Sequence, residues 1–109
     1  MIFNLIRNAL DAVQSVENPT VKVHAMVDVD WVSLIVSDNG IGLPEDIKER
    51  LFEPFVTGKS EGTGLGLALC QRLVERMGGE IDATQADGWT IFTAKFPIVD
   101  EDDVQVAAQ

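Results

Sequence analysis

The spacing of apolar residues switches between a helical and a strand period along the chain, and this switching limits the fold more than any other feature. The predicted elements are, in order, a helix over 2–15, strands over 21–27 and 31–37, a short helix over 44–51, a flexible segment over 56–64, a helix over 65–77, and strands over 80–85 and 90–96. Helices alternating with pairs of adjacent strands predict an α+β fold. In that fold a mixed, mostly antiparallel sheet carries helices on one face, as a two-layer sandwich.

Local signals add expectations about turns and packing. Asn18 and Pro19 end the first helical pattern, and the Asp87-Gly88 pair predicts a tight turn between the last two strands. The hairpin over 21–37 is expected to be half-buried, because apolar and polar residues alternate along its first strand. In the 65–77 helix, large apolar residues recur every four positions, which predicts that this stripe packs on the sheet. The stripe consists of Leu65, Leu69, Leu73 and Met77.

Composition narrows the possible functions. The chain has 109 residues and a formal net charge of −10, so it forms one domain at most and is unsuited to binding nucleic acid over a broad surface. A single cysteine, Cys70, excludes an internal disulfide and a cysteine-based zinc site. We find neither an apolar run of about 18 residues nor a signal-peptide pattern. The expected setting is therefore cytoplasmic, without direct membrane contact.

The two ends of the sequence carry separate expectations. Met1 already lies inside the first helical pattern, so we expect the first strand and the start of the first helix to be missing from the domain over 1–99. Residues 100–109 are acidic and small, and are expected to form a disordered tail. A sheet edge left unpaired favours pairing with a second copy, which makes a homo-oligomer possible.

Glycine is concentrated in the middle of the chain, with six of the nine glycines between positions 40 and 66. Gly62 to Gly66 runs directly into the 65–77 helix, where free backbone N–H groups and the positive helix end favour an anion such as a phosphate. Asp38-x-Gly40-x-Gly42 follows a strand and offers a carboxylate beside backbone that a flat ring could approach closely. The alternative for Gly62 to Gly66 is a mobile loop with a glycine-rich entry, and the alternative for the Asp38 motif is an Asx turn.

Asn4, Asn8 and Asp11 share one face of the first helix, since they are four and three positions apart. Side-chain amides one turn apart supply neutral oxygen ligands, which suit a Mg²⁺ ion that keeps waters and substrate phosphates. The alternative is a pair of solvent-facing or capping amides.

Four segments together resemble the nucleotide-binding boxes of sensor histidine kinases, in the same order. They are NLIRNALDA (4–12), DNGIGLP (38–44), FEPFVTGKSEGTGLGLAL (52–69) and DGWTIFTAKFP (87–97). The similarity is greatest to kinases of the nitrogen-regulation and dicarboxylate-sensing type. The resemblance implies the Bergerat ATP-binding fold, with ATP and Mg²⁺ as cofactors.

The resemblance also implies roles for individual residues. Asn8 matches the Mg²⁺ ligand, and Asn4 matches the residue that faces the phosphates. Asp38 matches the carboxylate that accepts a hydrogen bond from the adenine amino group, and Lys59 is expected to reach the terminal phosphate. The other nucleotide-binding positions are Gly40 and Gly42 beside the base, Phe52 and Phe55 at the start of the lid, Gly62, Thr63, Gly64, Leu65 and Gly66 at the phosphates, and Thr90 behind the adenine.

The implied function is transfer of the γ-phosphoryl group of ATP to a histidine on a separate dimerisation and phosphoacceptor domain, and from there to a response-regulator receiver domain. Related ATPases carry a glutamate where this chain has Asn4, and an amide is not a general base, so slow hydrolysis is expected. His24 is expected to be an ordinary sheet-surface residue. The alternatives are a nucleotide-binding or interaction module without transfer activity, and an ATPase of the wider superfamily.

Overall fold

The computed structural model describes residues 2–44, 50–53 and 66–98. Its elements are α1 (Ile2–Ala12), β1 (Val21–Val27), β2 (Trp31–Asp38), α2 (Gly66–Arg76), β3 (Glu80–Ala86) and β4 (Trp89–Pro97). The strands form one sheet in the order β1-β2-β4-β3, and each neighbouring pair in it is antiparallel. The predicted α+β architecture is confirmed.

The helices lie side by side on one face of the sheet. α1 contacts β1 and β2, α2 contacts β3 and β4, and the two helices touch each other. The core between the layers contains Leu5, Ala9, Val36, Leu51, Cys70 and Phe92. Each helix has 11 residues, so among the described residues no helix is long enough to span a membrane.

α1 ends three residues before its predicted end. The N–H of Gln14 bonds the carbonyl of Asp11, and the N–H of Val16 bonds that of Val13, so the chain tightens into three-residue turns after Ala12. Asn18 then has φ +52°, a left-handed conformation that completes the reversal before Pro19. The apolar spacing of 2–15 thus continues past the last helical hydrogen bond.

The turn between β3 and β4 confirms the sequence prediction. Asp87 has φ +52° and Gly88 has φ +83°, the combination of a type I′ hairpin turn. Because the turn has two residues, Ala86 pairs with Trp89 and Gln85 pairs with Thr90. This register sets which residues of β3 face the helices.

The packing face of α2 differs from the prediction. Leu69, Leu73 and Met77 are 51, 46 and 63% exposed, whereas the side chains buried against the sheet are Ala68, Cys70 and Val74. Leu65, the first residue of the predicted stripe, lies outside the described residues. The helix carries two apolar stripes, and the one with smaller side chains faces the sheet.

β1 is more exposed than a half-buried hairpin would be. Apart from Val21, all its residues are exposed, because β1 is an outer strand and α1 covers mainly β2. His24 is exposed on this strand, as predicted. Pairing of a free sheet edge with a second copy stays a prediction.

The face of the sheet away from the helices carries two cation–π pairs. Lys22 Nζ lies 4.6 Å from the ring centroid of Trp89, and Lys95 Nζ lies 5.2 Å from that of Trp31. Each lysine covers part of an aromatic ring that would otherwise be open to water.

Candidate functional site

A polar pair lies at one end of the sheet, on the face that carries the helices. Asp38 ends β2 and pairs with Thr90 of β4, and the two are 2% and 4% exposed. Val21 and Gln85 continue the same row on the outer strands. In the described part of the chain, Asp38 and Thr90 are the only polar side chains among the buried residues.

The carboxylate of Asp38 is held by the loop that follows it. Asp38 Oδ1 accepts a hydrogen bond from the N–H of Gly40 at 2.9 Å. Burial raises the pKa of Asp38 above its ordinary value, and the hydrogen bond from Gly40 opposes that rise. The Asx turn considered from the sequence is therefore present, and it leaves a second carboxylate oxygen for another donor.

The loop over 39–43 is anchored to several parts of the structure. The N–H of Asn39 bonds the carbonyl of Thr20, that of Ile41 bonds the carbonyl of Ala12 at 3.2 Å, and that of Leu43 bonds Gln85 Oε1 at 3.0 Å. The loop backbone is thus bonded to α1, to the segment before β1 and to β3. These hydrogen bonds favour one shape of the loop.

The Asn39 side chain contributes two further bonds to this anchoring. Its Oδ1 accepts from the N–H of Thr20 at 2.8 Å, and its Nδ2 donates to the carbonyl of Asn18 at 2.9 Å. Together with the backbone bond from Asn39 to Thr20, they join the start of the loop to the turn before β1.

Gly40 allows the loop to pass against the end of α1. A Cβ atom at Gly40 would lie within 2.3 Å of the carbonyl oxygen of Ala12, a distance that no side chain tolerates. Gly42 has φ +81°, which favours glycine for conformational reasons. Both predicted glycines of the motif are therefore required by the backbone path itself.

The other half of the site lies at the opposite end of α1. Asn4 Cγ would be 3.8 Å from a Cβ atom at Gly66, the first residue of α2, so the Asn4 amide lies beside the N-terminus of that helix. The first turn of α2 contains no acidic residue to offset its positive end. Asn8 is half-buried one turn further along the Asn4 face of α1.

The Cys70 side chain on α2 contacts the Asn4 side chain on α1 through a hydrogen bond. Its thiol is fully buried, and burial raises its pKa while a hydrogen bond with the Asn4 side chain lowers it. The contact ties α1 to α2 behind the helix N-terminus.

α1 therefore connects two chemically different regions. Ala12, at its end, touches the loop beside Asp38, while Asn4 lies beside Gly66. Asn4 and Ala12 are eight positions apart, which corresponds to about 12 Å along a helix axis. A ligand with a polar ring at one end and anionic groups at the other would match this arrangement.

Phe52 has a packing role in the structure. Its ring meets Phe92 edge to face at a centroid distance of 6.4 Å, and Leu51 beside it is buried. This contact packs the short segment over 50–53 against β4.

The structure thus brings together Asp38, Gly40, Gly42 and Thr90 at the sheet end, and Asn4 and Gly66 at the helix start. The remaining predicted site residues, Phe55, Lys59, Gly62, Thr63, Gly64 and Leu65, lie outside the described residues.

Sequence reasoning did not select Gln85 or Cys70 for the site. For Gln85 a signal existed: the two-residue turn at Asp87-Gly88 places Gln85 opposite Thr90, which was already a candidate. For Cys70 no signal existed, because its contact with Asn4 depends on how α1 and α2 pack.

Comparison with known proteins agrees with this geometry. Residues 1–100 match the family described as "Histidine kinase-, DNA gyrase B-, and HSP90-like ATPase". The C4-dicarboxylate transport sensor protein DctB of Rhizobium meliloti is 37% identical over 92 residues, covering 84% of this chain and 15% of DctB. A putative NtrY-like sensor histidine kinase of Rickettsia conorii is 35% identical over 104 residues, covering 94% of this chain and 17% of that protein. The chain therefore spans less than a fifth of the length of these relatives.

Solved structures show the same relationship. The nucleotide-free catalytic domain of histidine kinase ThkA superposes with a TM-score of 0.77 at 32% identity, covering 88% of this chain and 63% of that one. Full-length ShkA in complex with AMPPNP superposes with a TM-score of 0.74 at 32% identity, covering 88% of this chain and 20% of that one. The chain belongs to the histidine kinase-, DNA gyrase B- and HSP90-like ATPase family, and within it to the catalytic domains of sensor histidine kinases.

Proposed function

We propose that this chain binds ATP with Mg²⁺ and presents the γ-phosphoryl group to a histidine on a separate phosphoacceptor domain. The observation that carries the proposal is the buried Asp38–Thr90 pair, held beside a pre-formed loop at one end of α1, with Asn4 and the start of α2 at the other end. The complex of the similar protein ShkA with AMPPNP supports a nucleotide as the ligand.

The adenine ring would lie against the 39–43 loop. Asp38 Oδ1 is occupied by the Gly40 N–H, so Oδ2 would accept the hydrogen bond from the exocyclic amine. Thr90, buried beside it, supplies a hydroxyl that both donates and accepts. A carboxylate acceptor distinguishes adenine, which offers an amine, from a base that offers a carbonyl at the same position.

The phosphates would lie at the start of α2. Backbone N–H groups at a helix N-terminus and its positive end attract anions, and Asn4 adds a neutral amide donor beside Gly66. Lys59 and the glycines over 62–66 are proposed to complete this end. Because the chain as a whole carries a net charge of −10, the phosphates depend on these local donors.

Asn8 is the residue proposed to hold Mg²⁺. An amide oxygen is a hard, neutral ligand of the kind that Mg²⁺ accepts alongside waters and phosphate oxygens, so the donor chemistry fits. When bound, the ion would neutralise charge on the phosphates during transfer.

Transfer is favoured over hydrolysis by what stands at position 4. Asn4 is an amide and cannot take a proton from water, so the bound triphosphate would await another nucleophile. His24 is exposed on β1, whereas the proposed phosphate end lies at the start of α1 and α2. The acceptor is therefore proposed to be a histidine of a partner domain, which would pass the phosphoryl group to a receiver domain of a response regulator.

Calorimetric titration tests the binding step. ADP and a non-hydrolysable ATP analogue are titrated, with and without Mg²⁺, into the wild-type chain and into Asn8→Ala and Asp38→Asn. Asp82→Asn serves as the control, since Asp82 is an exposed carboxylate on β3. We expect Asp38→Asn to lower the affinity for both nucleotides and Asn8→Ala to lower the affinity only when Mg²⁺ is present. The control should bind both nucleotides like wild type.

The transfer step needs a second assay. The chain is mixed with labelled ATP and the helical-hairpin phosphoacceptor domain of a related sensor kinase, and label on the acceptor histidine is followed. Label that needs both proteins supports the kinase. Steady phosphate release by this chain alone would favour the ATPase, and nucleotide binding without either activity would favour a binding module.

A further inference from the structure

Gln85 reaches from β3 to the loop that follows Asp38. Its Oε1 accepts the N–H of Leu43 at 3.0 Å. The same oxygen lies 2.6 Å from where a Cβ atom of Gly42 would be, so it occupies the space beside the left-handed glycine. A single side-chain atom therefore bonds the loop and lies against Gly42, whose φ of +81° favours glycine at this position.

Gln85 and Asp38 act on opposite ends of one short turn. Asp38 Oδ1 holds the N–H of Gly40 at 2.9 Å, and Gln85 Oε1 holds that of Leu43. Both side chains belong to the same row across the sheet, with Thr90 between them in the register. The sheet end thus presents two acceptors, and they bond the N–H groups at the two ends of the Gly40–Leu43 turn.

Leu43 also packs against the hydrophobic core, so its position is defined from two sides. If the bond from Gln85 were lost, the Leu43 N–H would have to find water, and the Gly42 backbone would regain the conformations open to glycine. A ligand would then have to order the turn when it binds, and that ordering weakens affinity.

We propose that Gln85 is a positioning residue of the nucleotide site, which holds the Gly42–Leu43 turn in the shape that receives the base. The inference rests on the proposed nucleotide binding and extends it to a residue outside the four motif segments. Gln85 acts through the loop backbone. Its effect therefore belongs to the base end of the ligand and is independent of the number of phosphates.

The test compares four variants with wild type. Gln85→Leu removes the acceptor and keeps a side chain of similar size, and Gln85→Ala removes both the acceptor and the bulk. Gln85→Glu keeps an oxygen that can accept the same hydrogen bond. Thr84→Val is the control, since Thr84 is exposed on the other face of the same strand. Hydrogen exchange of the Leu43 amide is followed by NMR in the nucleotide-free proteins, and affinities for AMP, ADP and a non-hydrolysable ATP analogue are measured.

We expect the Leu43 amide to exchange at least several-fold faster in Gln85→Leu and Gln85→Ala, and as in wild type in Gln85→Glu and Thr84→Val. Affinity should fall about 3- to 10-fold in the first two variants, the size of one net hydrogen bond. The factor should be the same for the mono-, di- and triphosphate. If the loss of affinity came only from a less stable protein, Gln85→Glu would not be the one substitution at this position that keeps the wild-type affinity.

Unchanged Leu43 exchange in Gln85→Leu, or unchanged affinity in that variant while wild type binds, overturns this inference and leaves the proposed function standing. A loss of affinity that is confined to the triphosphate also overturns it. So does an equal loss of affinity in Gln85→Glu. If the folded wild-type chain binds no adenine nucleotide, the proposed function fails and this inference fails with it.

Discussion

Asp38 and Thr90 pair directly across β2 and β4, and both are buried in a sheet face whose neighbouring buried residues, Val36 and Phe92, are apolar. Burial of a carboxylate is unfavourable unless hydrogen bonds replace its water, and the structure supplies it with the Gly40 N–H. Such a pair adds little to the packing of the core. Its position at the mouth of the 39–43 loop instead fits recognition of a polar ligand.

Asp38→Asn should separate folding from binding. The amide oxygen can still accept the Gly40 N–H, and no charge needs to be buried, so we expect unfolding free energy at neutral pH to be equal to or above that of wild type. Adenine nucleotide affinity should fall about 10- to 100-fold, because hydrogen bonds to charged groups contribute about 1.5–3 kcal/mol. Urea denaturation and calorimetry on the same samples measure the two effects. A large loss of stability would instead assign Asp38 to the fold.

The raised pKa of Asp38 predicts opposite pH dependences for folding and binding. Its folded pKa lies above the ordinary value of 3.8, so between these two values the folded state holds more protons than the unfolded state. The stability contribution of this group therefore falls as pH rises through that window, and is fully recovered below 3.8. Binding needs the carboxylate, so nucleotide affinity should rise over the same window.

Denaturation curves at several pH values from about 4 to 8, for wild type and Asp38→Asn, test the first half, because their difference isolates this group. Nucleotide titrations at the same pH values test the second. If the difference in stability grew in favour of wild type with rising pH, the sign of the pKa shift would be wrong.

The strands and the two hairpins could be predicted from the sequence because local patterns determine them. The strand over 21–27 and the Asp87-Gly88 turn depend only on residues close together in the chain, and both occur as predicted, although β1 lacks the predicted alternation of buried and exposed residues. Which face of α2 packs on the sheet depends on residues that are distant in the sequence. A Cβ atom at Gly79 would lie 2.1 Å from the carbonyl oxygen of Lys95, so the chain leaving α2 passes tightly over β4, which helps to orient the helix.

The candidate site shows the same division. Asp38, Gly40 and Thr90 belong to recognisable motifs, and the structure brings them together. The contact of Asn4 with Cys70 and the bond from Gln85 to Leu43 join residues that are far apart in the sequence. Single-sequence patterns carry no information on the packing of α1 against α2, and they place Gln85 opposite Thr90 without indicating its bond to Leu43.

The two glycines Gly40 and Gly66 should respond differently to alanine. At Gly40 the added methyl group meets the backbone of Ala12, so we expect a loss of about 1–3 kcal/mol or more in unfolding free energy, as for an overpacked core. At Gly66 the nearest atom is Asn4 Cγ at 3.8 Å, an ordinary contact. Gly66→Ala should therefore keep or slightly raise stability, while a methyl group beside Asn4 weakens nucleotide binding. Denaturation and titration of both variants check the contrast, and a destabilised Gly66→Ala or unimpaired nucleotide affinity would contradict it.

The exposed apolar residues of α2 should contribute less to stability than the buried ones. Leu73 is 46% exposed while its neighbour Val74 is fully buried, so adjacent apolar residues on one helix should differ in their contribution to folding. Val74→Ala should lower unfolding free energy by about 1–3 kcal/mol, since it removes buried methyl groups and leaves a cavity. Leu73→Gln removes no buried contact with the sheet and keeps a good helix former, so its change should stay within about 0.5 kcal/mol.

Urea denaturation of the two variants beside wild type measures both values under one condition. Equal losses would mean that Leu73 is buried in solution, by a second copy or by chain outside the described residues. Light scattering of wild type and Leu73→Gln separates these cases, because only burial by a second copy gives an oligomer that dissociates when the leucine is replaced. A small effect of Leu73→Gln beside a large effect of Val74→Ala would agree with the packing face seen in the structure, where small side chains lie against the sheet and the large ones face outward.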